Sequence, residues 1–392
     1  MKKLCIIGRG TAGAQAAAHF YTYLDPKHFE IEWCFADSIQ TQSVGEGSTL
    51  WLPQNLWNTT GFTHEDIPAI GGTEKVGVLK QGWGKDGKKF MHSFPPHLSA
   101  IHFSAHMLHD YILNRFKDKI SIVREKVDTN NIDADYVFDC TGTPTSFEGL
   151  RKAKYIPVNA AYVVQCLWDR PEFNYTVAFA RPYGWVFAIP LQNRCSVGYI
   201  YNEDINTEQD VEQDIKEIIR ELNLNQNETP GNKISFNSYW RHVNFTDSYA
   251  YSGNASFFLE PLEAASTSAI DFIQRKFFDF LVYEESTEEL NEQYNKYISE
   301  METMISLHYF SGSVFNTEFW KYAVSLSEES IALASSDPYF VEQIKKSLSS
   351  IHSKNLAADP FGVEYGTWGT YSYAMNIKGL GIEDNLCRAL KL

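Results

Sequence analysis

Apolar and polar positions set out the first elements directly. Lys3-Leu4-Cys5-Ile6-Ile7 reads as a short buried strand. Gly8-Arg9-Gly10-Thr11-Ala12-Gly13 follows without a break, and Ala14 to Leu24 has helical character. Ile31-Glu32-Trp33-Cys34-Phe35-Ala36 is a second strand, ending at Asp37. Strand, Gly-rich turn, helix, strand and acid is the order of a dinucleotide-binding unit. Gly8 permits the tight turn, Gly10 lets backbone approach a pyrophosphate, and Gly13 lets helix and strand pack closely. The acid comes 24 residues after Gly13, near the usual spacing of about 20. Asp135 to Gly142 is a later apolar strand with a small-residue turn, of the kind that returns to the first sheet in FAD-binding proteins.

The periodicity then changes. Tyr183 to Pro190 and Cys195 to Tyr201 alternate between turn signals, as a second, antiparallel sheet would. Glu208 to Leu224 reads as an acidic amphipathic helix with a solvated face. From Asp271 onward the pattern is helical, through Tyr294 to Tyr309 and Thr317 to Leu333. Asp337 is placed to cap a helix that starts at Pro338. Gly-rich turns are expected from Trp368 to Gly381. Ala100 to Lys119 reads as one helix carrying His102, His106 and His109. No carboxylate motif joins these histidines, so a metal face is not expected there. The expected fold is α/β, a GxGxxG Rossmann-type domain with an interleaved antiparallel sheet and a C-terminal helical subdomain. Residues 1–272 form the first unit and 273–392 the second.

One segment carries more chemistry than the glycine motif. Phe257-Phe258-Leu259-Glu260-Pro261-Leu262-Glu263 leaves a strand at Pro261, which cannot donate a backbone hydrogen bond. Ala264 to Ile270 then opens a helix with small residues, leaving N–H groups uncovered as a seat for an anion. Glu263 therefore stands beside an anion seat at Ala265 and Ser266.

Composition narrows the remaining classes. The formal net charge of −15 over 392 residues, with no basic run, argues against nucleic acid. Aromatic residues make up 15% of the chain, enough to fill a core and also to sandwich a flat ligand. Six cysteines stand singly, without metal-ligand spacing, as in a reducing cytoplasm. No structural metal is expected. Arg9 interrupts the N-terminal apolar run, which excludes an export signal, and no uncharged stretch is long enough to span a membrane.

Taken together, these segments resemble the flavin-dependent halogenases of the tryptophan-halogenase family. Gly8 to Gly13 looks like the family's FAD motif, and Val44-Gly45-Glu46-Gly47-Ser48-Thr49 resembles its segment after the second strand. Thr73 to Val78 resembles the strand with the active-site lysine, Lys75 here, although Lys80 lies close by. Ala100 to Ala105, with its His-Phe pair, is also similar to a family segment. Gly184 to Pro190 looks like the Trp-x-Trp-x-Ile-Pro signature, and Glu260 to Glu263 like the segment bearing the active-site glutamate. Ser306 to Tyr309 and Phe319-Trp320 are similar to the family's helical region.

The resemblance implies that reduced FAD reacts with O2 to a flavin hydroperoxide, and that a halide at Ala265 and Ser266 is oxidised to hypohalous acid. Lys75 would receive that acid, and Glu263 would orient it or take the proton of an electron-rich, indole- or phenol-like substrate. Gly8, Gly10, Thr11, Ala12, Gly13, Asp37, Glu46, Trp185 and Leu259 would hold the cofactor. With no second glycine motif, a separate flavin reductase is implied. Homo-oligomer formation is left open. Two departures stand out. Phe187 replaces the signature's second Trp, which keeps an aromatic hydroxylase or a chemically silent flavoprotein as alternatives. Ala265 replaces a Thr common in relatives, which makes room for bromide or iodide. The chain is also shorter than tryptophan-acting relatives in the substrate-covering part, pointing to a substrate other than free tryptophan.

Overall fold

The computed structural model describes residues 1–39, 44–129, 131–225, 231–353 and 365–392. The nucleotide unit forms as its sequence predicts. Lys2–Ile7 pairs in parallel with Phe29–Cys34 on one side and with Tyr136–Asp139 on the other. Ser121–Val123 and Tyr249–Tyr251 complete a five-stranded parallel sheet. The helix Thr11–Tyr23 starts inside the glycine motif, so Gly13 lies in its first turn. A Cβ on Gly13 would lie 2.2 Å from the Gly8 carbonyl oxygen, and one on Gly8 (φ +125°) would lie 2.2 Å from the Cys140 oxygen. Both glycines are fixed by close packing between turn, helix and the returning strand.

The second sheet has seven strands, in the order Asn232–Ser235, Ala160–Leu167, Arg194–Tyr201, Gly184–Pro190, Thr176–Arg181, Gly77–Gln81 and Phe90–Ser93. It is antiparallel except where Thr176–Arg181 meets Gly77–Gln81. Both faces are buried. Trp185, Phe187 and Ile189 enter the main core, whereas Val186 and Ala188 enter a second core under the helix Glu208–Glu221. That helix keeps the predicted solvated face, and its apolar row of Val211, Ile215, Ile218 and Ile219 closes the outer side of the sheet.

A small three-stranded sheet matters most for position. Glu46–Gly47 and Thr73–Lys75 flank the strand Ala100–Phe103. This corrects the single helix expected from Ala100: a strand comes first, and the helix is Ala105–Phe116. All four strand residues are buried, so the run takes sheet pairing on two sides rather than a one-faced helix. The C-terminal part is helical, with Ala265–Tyr283, Thr287–Phe310, Glu318–Ala334 and Pro338–Ser353. Asp337 caps the last of these through the Tyr339 N–H at 2.9 Å. The helix Ala265–Tyr283 runs across the expected division at 272/273.

The expected Gly-rich turns near the end are instead the helix Thr370–Leu380, followed by Glu383–Leu390. Gly379 sits inside the first because a Cβ there would lie 2.2 Å from the Phe90 ring, and Gly381 (φ +67°) terminates it. These glycines serve packing and a left-handed cap. No helix among the described residues is long and apolar enough to cross a membrane.

The Gly13 packing is open to test. Gly13→Ala should lower stability by about 1–3 kcal/mol through overpacking. Urea unfolding checks this, and an unchanged midpoint would mean the helix can draw back from Gly8.

Candidate active site

Glu263 occupies a strained turn. Glu263 (φ 60°, ψ 19°) and Ala264 (φ 55°, ψ 29°) are two consecutive non-glycine residues in the left-handed region, each costing roughly 1–3 kcal/mol. The turn carries the carboxylate inward, leaving it 3% exposed, and starts the helix at Ala265 with no side-chain cap. Ala265 is buried at that first turn and Ser266 half-buried. The residues read as an anion seat thus lie at a helix start without a side-chain cap, next to the buried Glu263 carboxylate.

The partner that meets Glu263 is Lys80 rather than Lys75. Lys80 Nζ lies 2.5 Å from Glu263 Oε1. It also donates to His308 Nε2 at 2.7 Å and to Asn376 Oδ1 at 2.5 Å. Its three donors are thus engaged, and the side chain is fully enclosed. Trp368 stacks against this ammonium at 5.4 Å and donates its indole N–H to Glu263 Oε2 at 3.2 Å. Burial pushes the Glu263 carboxyl upward, but Lys80, His308 and His92 outweigh it and hold it well below the usual range. His308 is held neutral, down to about 4, by burial and by Lys80.

Lys75 has a different setting. Its Nζ donates to the Ser48 carbonyl at 2.9 Å, the one hydrogen bond found for it among the described residues, and lies 5.8 Å over the Phe94 ring. Burial lowers its pKa to about 8; Lys80 adds to the effect and Glu263 opposes it. Lys75 and Glu263 line one cavity, together with Ser48, Trp51, His92, Phe94 and Trp368. His92 projects from Phe90–Ser93, with Nε2 3.0 Å from Ser372 Oγ and Nδ1 3.7 Å from Glu263 Oε2. Its Nδ1 has no hydrogen-bond partner.

The segment from Glu46 to Thr49 links the site to the nucleotide unit. Thr11 Oγ1 donates to Glu46 Oε1 at 2.8 Å, the Ser48 carbonyl accepts from Lys75, and Thr49 Oγ1 accepts from Ser268 of the anion-seat helix at 3.3 Å. Burial raises the Glu46 carboxyl to about 7 against the Thr11 hydrogen bond.

The glycine motif fits a dinucleotide. A Cβ on Gly10 would meet nothing within 4 Å, so the turn faces open space, and the helix behind it has no side-chain cap. Ala12 is buried in that helix. Asp37 is half exposed and forms ion pairs with Arg9 at 3.6 Å and Arg124 at 3.1 Å. Trp185 and Leu259 are each 1% exposed within the common core. The Leu259 carbonyl accepts from Ser238, while the Trp185 indole N–H has no hydrogen bond of good geometry.

The three histidines do not converge. His102 is buried between Thr73 and Thr176, His109 is buried against Trp33 and Phe35, and His106 reaches Asp110. Among the described residues, the thiol and carboxylate atoms of Cys5, Glu32 and Cys34 come close enough to share a cation. Glu32 there is paired to Lys3 at 3.0 Å.

His92, Ser372, Trp368 and Asn376 were not anticipated as site residues, and His308 was read only within a family-like helical segment. For Lys80 a signal existed, a cation facing the same side as Val78 in a buried strand. The others come from distant segments, and only folding brings them together.

The tryptophan halogenase family model matches residues 3–121 and 101–356. The tryptophan 7-halogenase RebH of Lentzea aerocolonigenes is 23% identical over 328 residues. That match covers 72% of this chain but only 59% of the relative. The tryptophan halogenase structure from Shewanella frigidimarina superposes with a TM-score of 0.78 at 16% identity, covering 100% of this chain and 93% of that one. A flavin-dependent halogenase from Xanthomonas campestris gives 0.77 at 18% identity, with the same coverages.

Two stability measurements separate the lysines. Lys80→Met should cost about 3–5 kcal/mol, because it strands a buried carboxylate. Lys75→Met should cost far less, since it removes a cation held by one carbonyl. Equal losses in urea unfolding would show that the two cations share the load. Gly10→Ala should leave the unfolding midpoint nearly unchanged while weakening FAD binding, read by flavin fluorescence.

Proposed function

The chain belongs to the tryptophan halogenase family, and from that premise we propose that it halogenates an electron-rich aromatic substrate using reduced FAD, O2 and a halide. The observation that carries this reading is the pairing of Lys75 with Glu263 in one buried, aromatic-lined cavity. An aromatic hydroxylase has no use for a lysine there.

Gly8, Gly10, Thr11, Ala12 and Gly13 would hold the FAD pyrophosphate. Asp37 would serve the ribose, once released from its two arginines, and Glu46, Trp185 and Leu259 would lie along the cofactor. When bound and reduced, the flavin supplies the oxidation of halide by molecular oxygen. The N–H groups at Ala265 and Ser266 hold the halide, and Lys75 hydrogen-bonds the hypohalous acid and presents its halogen to the ring. A lysine suits this task because its ammonium polarises the oxidant. Glu263, kept ionised by Lys80, orients that ammonium rather than serving as a proton acceptor. Lys80 itself is too fully bonded to handle the oxidant. A separate flavin reductase would supply the reduced cofactor. The shorter substrate-covering part favours an indole- or phenol-like substrate other than free tryptophan.

The deciding experiment supplies FAD, a flavin reductase and NADH with a panel of indoles, phenols and tryptophan, in chloride, bromide or iodide. Mass spectra should show halogenated product from wild type and none from Lys75→Ala, with aromatic binding retained. Hydroxylated product would favour the monooxygenase instead. Because the ammonium is the active form, turnover should decline as pH rises through about 8, the value to which burial lowers Lys75. A rise through that pH would assign the work to the neutral amine, as a haloamine. Bromide or iodide should be preferred to chloride, and Ala265→Thr should shift the preference towards chloride. Strict chloride use by wild type would remove the argument from Ala265.

A further inference from the structure

Halogenation of a ring must also dispose of a proton. When the ring carbon takes the halogen of HO–X, the O–X bond breaks, hydroxide leaves as water with a proton from Lys75, and the ring is left one proton too many. Glu263 is poorly suited to take it. Its Oε1 faces Lys80 and His308, and its Oε2 accepts from Trp368. A carboxylate so heavily bonded is a weak base.

His92 is differently placed. It lines the same cavity, is 2% exposed, and is bonded to Ser372, a residue of the helix Thr370–Leu380 that also lines the cavity. With the Ser372 hydroxyl donating to Nε2, the ring proton sits on Nδ1 and points at Glu263 Oε2, 3.7 Å away. Hydroxyl, imidazole and carboxylate then follow one another at 3.0 and 3.7 Å, with the carboxylate near enough to stabilise an imidazolium. The ionisable groups around the imidazole are Lys75 and Lys80 from the sheet strands, Glu263 from the strained turn, and Tyr371 beside Ser372.

We propose that Ser372 and His92, backed by Glu263, form the route by which the proton of the halogenated ring leaves the cavity. Resting on the halogenase reading, this step moves the ring proton to Ser372 Oγ as the Ser372 proton passes to His92 Nε2. The carbon–hydrogen bonding pair returns to the aromatic ring. The imidazolium later returns its proton to Lys75 through water, so the sum is Ar–H plus HO–X giving Ar–X plus water. Burial and the two lysines keep the imidazole neutral to below the ordinary histidine range, so the base remains available in mildly acidic solution.

The test uses the full chain with FAD, reductase and an aromatic substrate deuterated at the carbon that is halogenated. His92→Asn should lower kcat by about 10²-fold, the usual worth of a general base, with little change in the KM for the aromatic. A primary deuterium isotope effect should appear in the variant and be absent from wild type, because proton removal becomes the slow step. Any loss of wild-type rate at acid pH should vanish in the variant. Ser372→Ala, on a helix surface, should show the same isotope effect and keeps the proposal testable where His92→Asn does not fold. Halogenation with unaltered turnover in His92→Asn, reduced turnover without an isotope effect, or an isotope effect confined to Glu263→Gln would each overturn the relay alone. No halogenation by wild type would overturn both readings.

Discussion

The ion pair between Lys80 and Glu263 is the constraint on which the site depends. Two charges removed from water lose several kcal/mol of hydration each, and their attraction offsets this only where the remaining donors and acceptors are satisfied. Here three segments distant in the sequence meet that demand. The strand Gly77–Gln81 supplies Lys80, the helix Thr287–Phe310 supplies His308, the helix Thr370–Leu380 supplies Asn376, and Trp368 reaches Glu263 from just before it. The left-handed turn at Glu263 and Ala264 is stable only because this cluster determines it from outside. The helical part and the seven-stranded sheet are therefore tied at this charge as well as at bonds such as His92–Ser372, and a shift between them would strand it.

This pairing also explains why the site contains two lysines. Lys80 neutralises Glu263 and is used up in doing so. Lys75 keeps its ammonium directed at the cavity, with the Ser48 carbonyl as its hydrogen-bond anchor. The same short segment that supplies this carbonyl touches the nucleotide turn through Glu46 and the anion-seat helix through Thr49. Cofactor turn, lysine and helix start are thus set against one another by a few consecutive residues. Burial raises the Glu46 carboxyl to about 7 against the Thr11 hydrogen bond, so it takes up or releases a proton near neutral pH.

The nucleotide unit was legible in the sequence because every part of it is local: a strand, a turn that only glycine can make, and a helix. The glutamate turn was legible for the same reason, since Pro261 and the small residues after it mark a strand exit. The helix expected from Ala100 failed because sheet pairing overrode a helical spacing of histidines, and His102 spends both ring nitrogens on threonines. At the end of the chain, glycines that look like turn formers are there for Phe90 and for a helix cap. The assignment of the ion pair to one lysine over the other needed the third dimension. They stand five positions apart on consecutive strands of two different sheets, and only the placement of those strands decides which lysine meets Glu263.

Glu260 and Glu263 show how one short segment sets two opposite charge states. Both are buried within three residues of each other. Glu263 meets a cation and is ionised. Among the described residues Glu260 accepts from the Tyr309 hydroxyl at 2.7 Å and meets no cation, and burial raises its carboxyl to about 8. At neutral pH it is therefore mostly protonated. His92 and His308 are held neutral by burial, so the charged groups left around the cavity are Lys75, Lys80 and Glu263, a net positive set. A second carboxylate in this low-dielectric space would repel any anion at the start of the Ala265 helix. Burial neutralises Glu260 against the Tyr309 hydrogen bond, so the helix turn that carries Tyr309 and His308 clasps both glutamates while only one carries charge. On the proposed reading, that difference allows a buried acid and a halide to share one site.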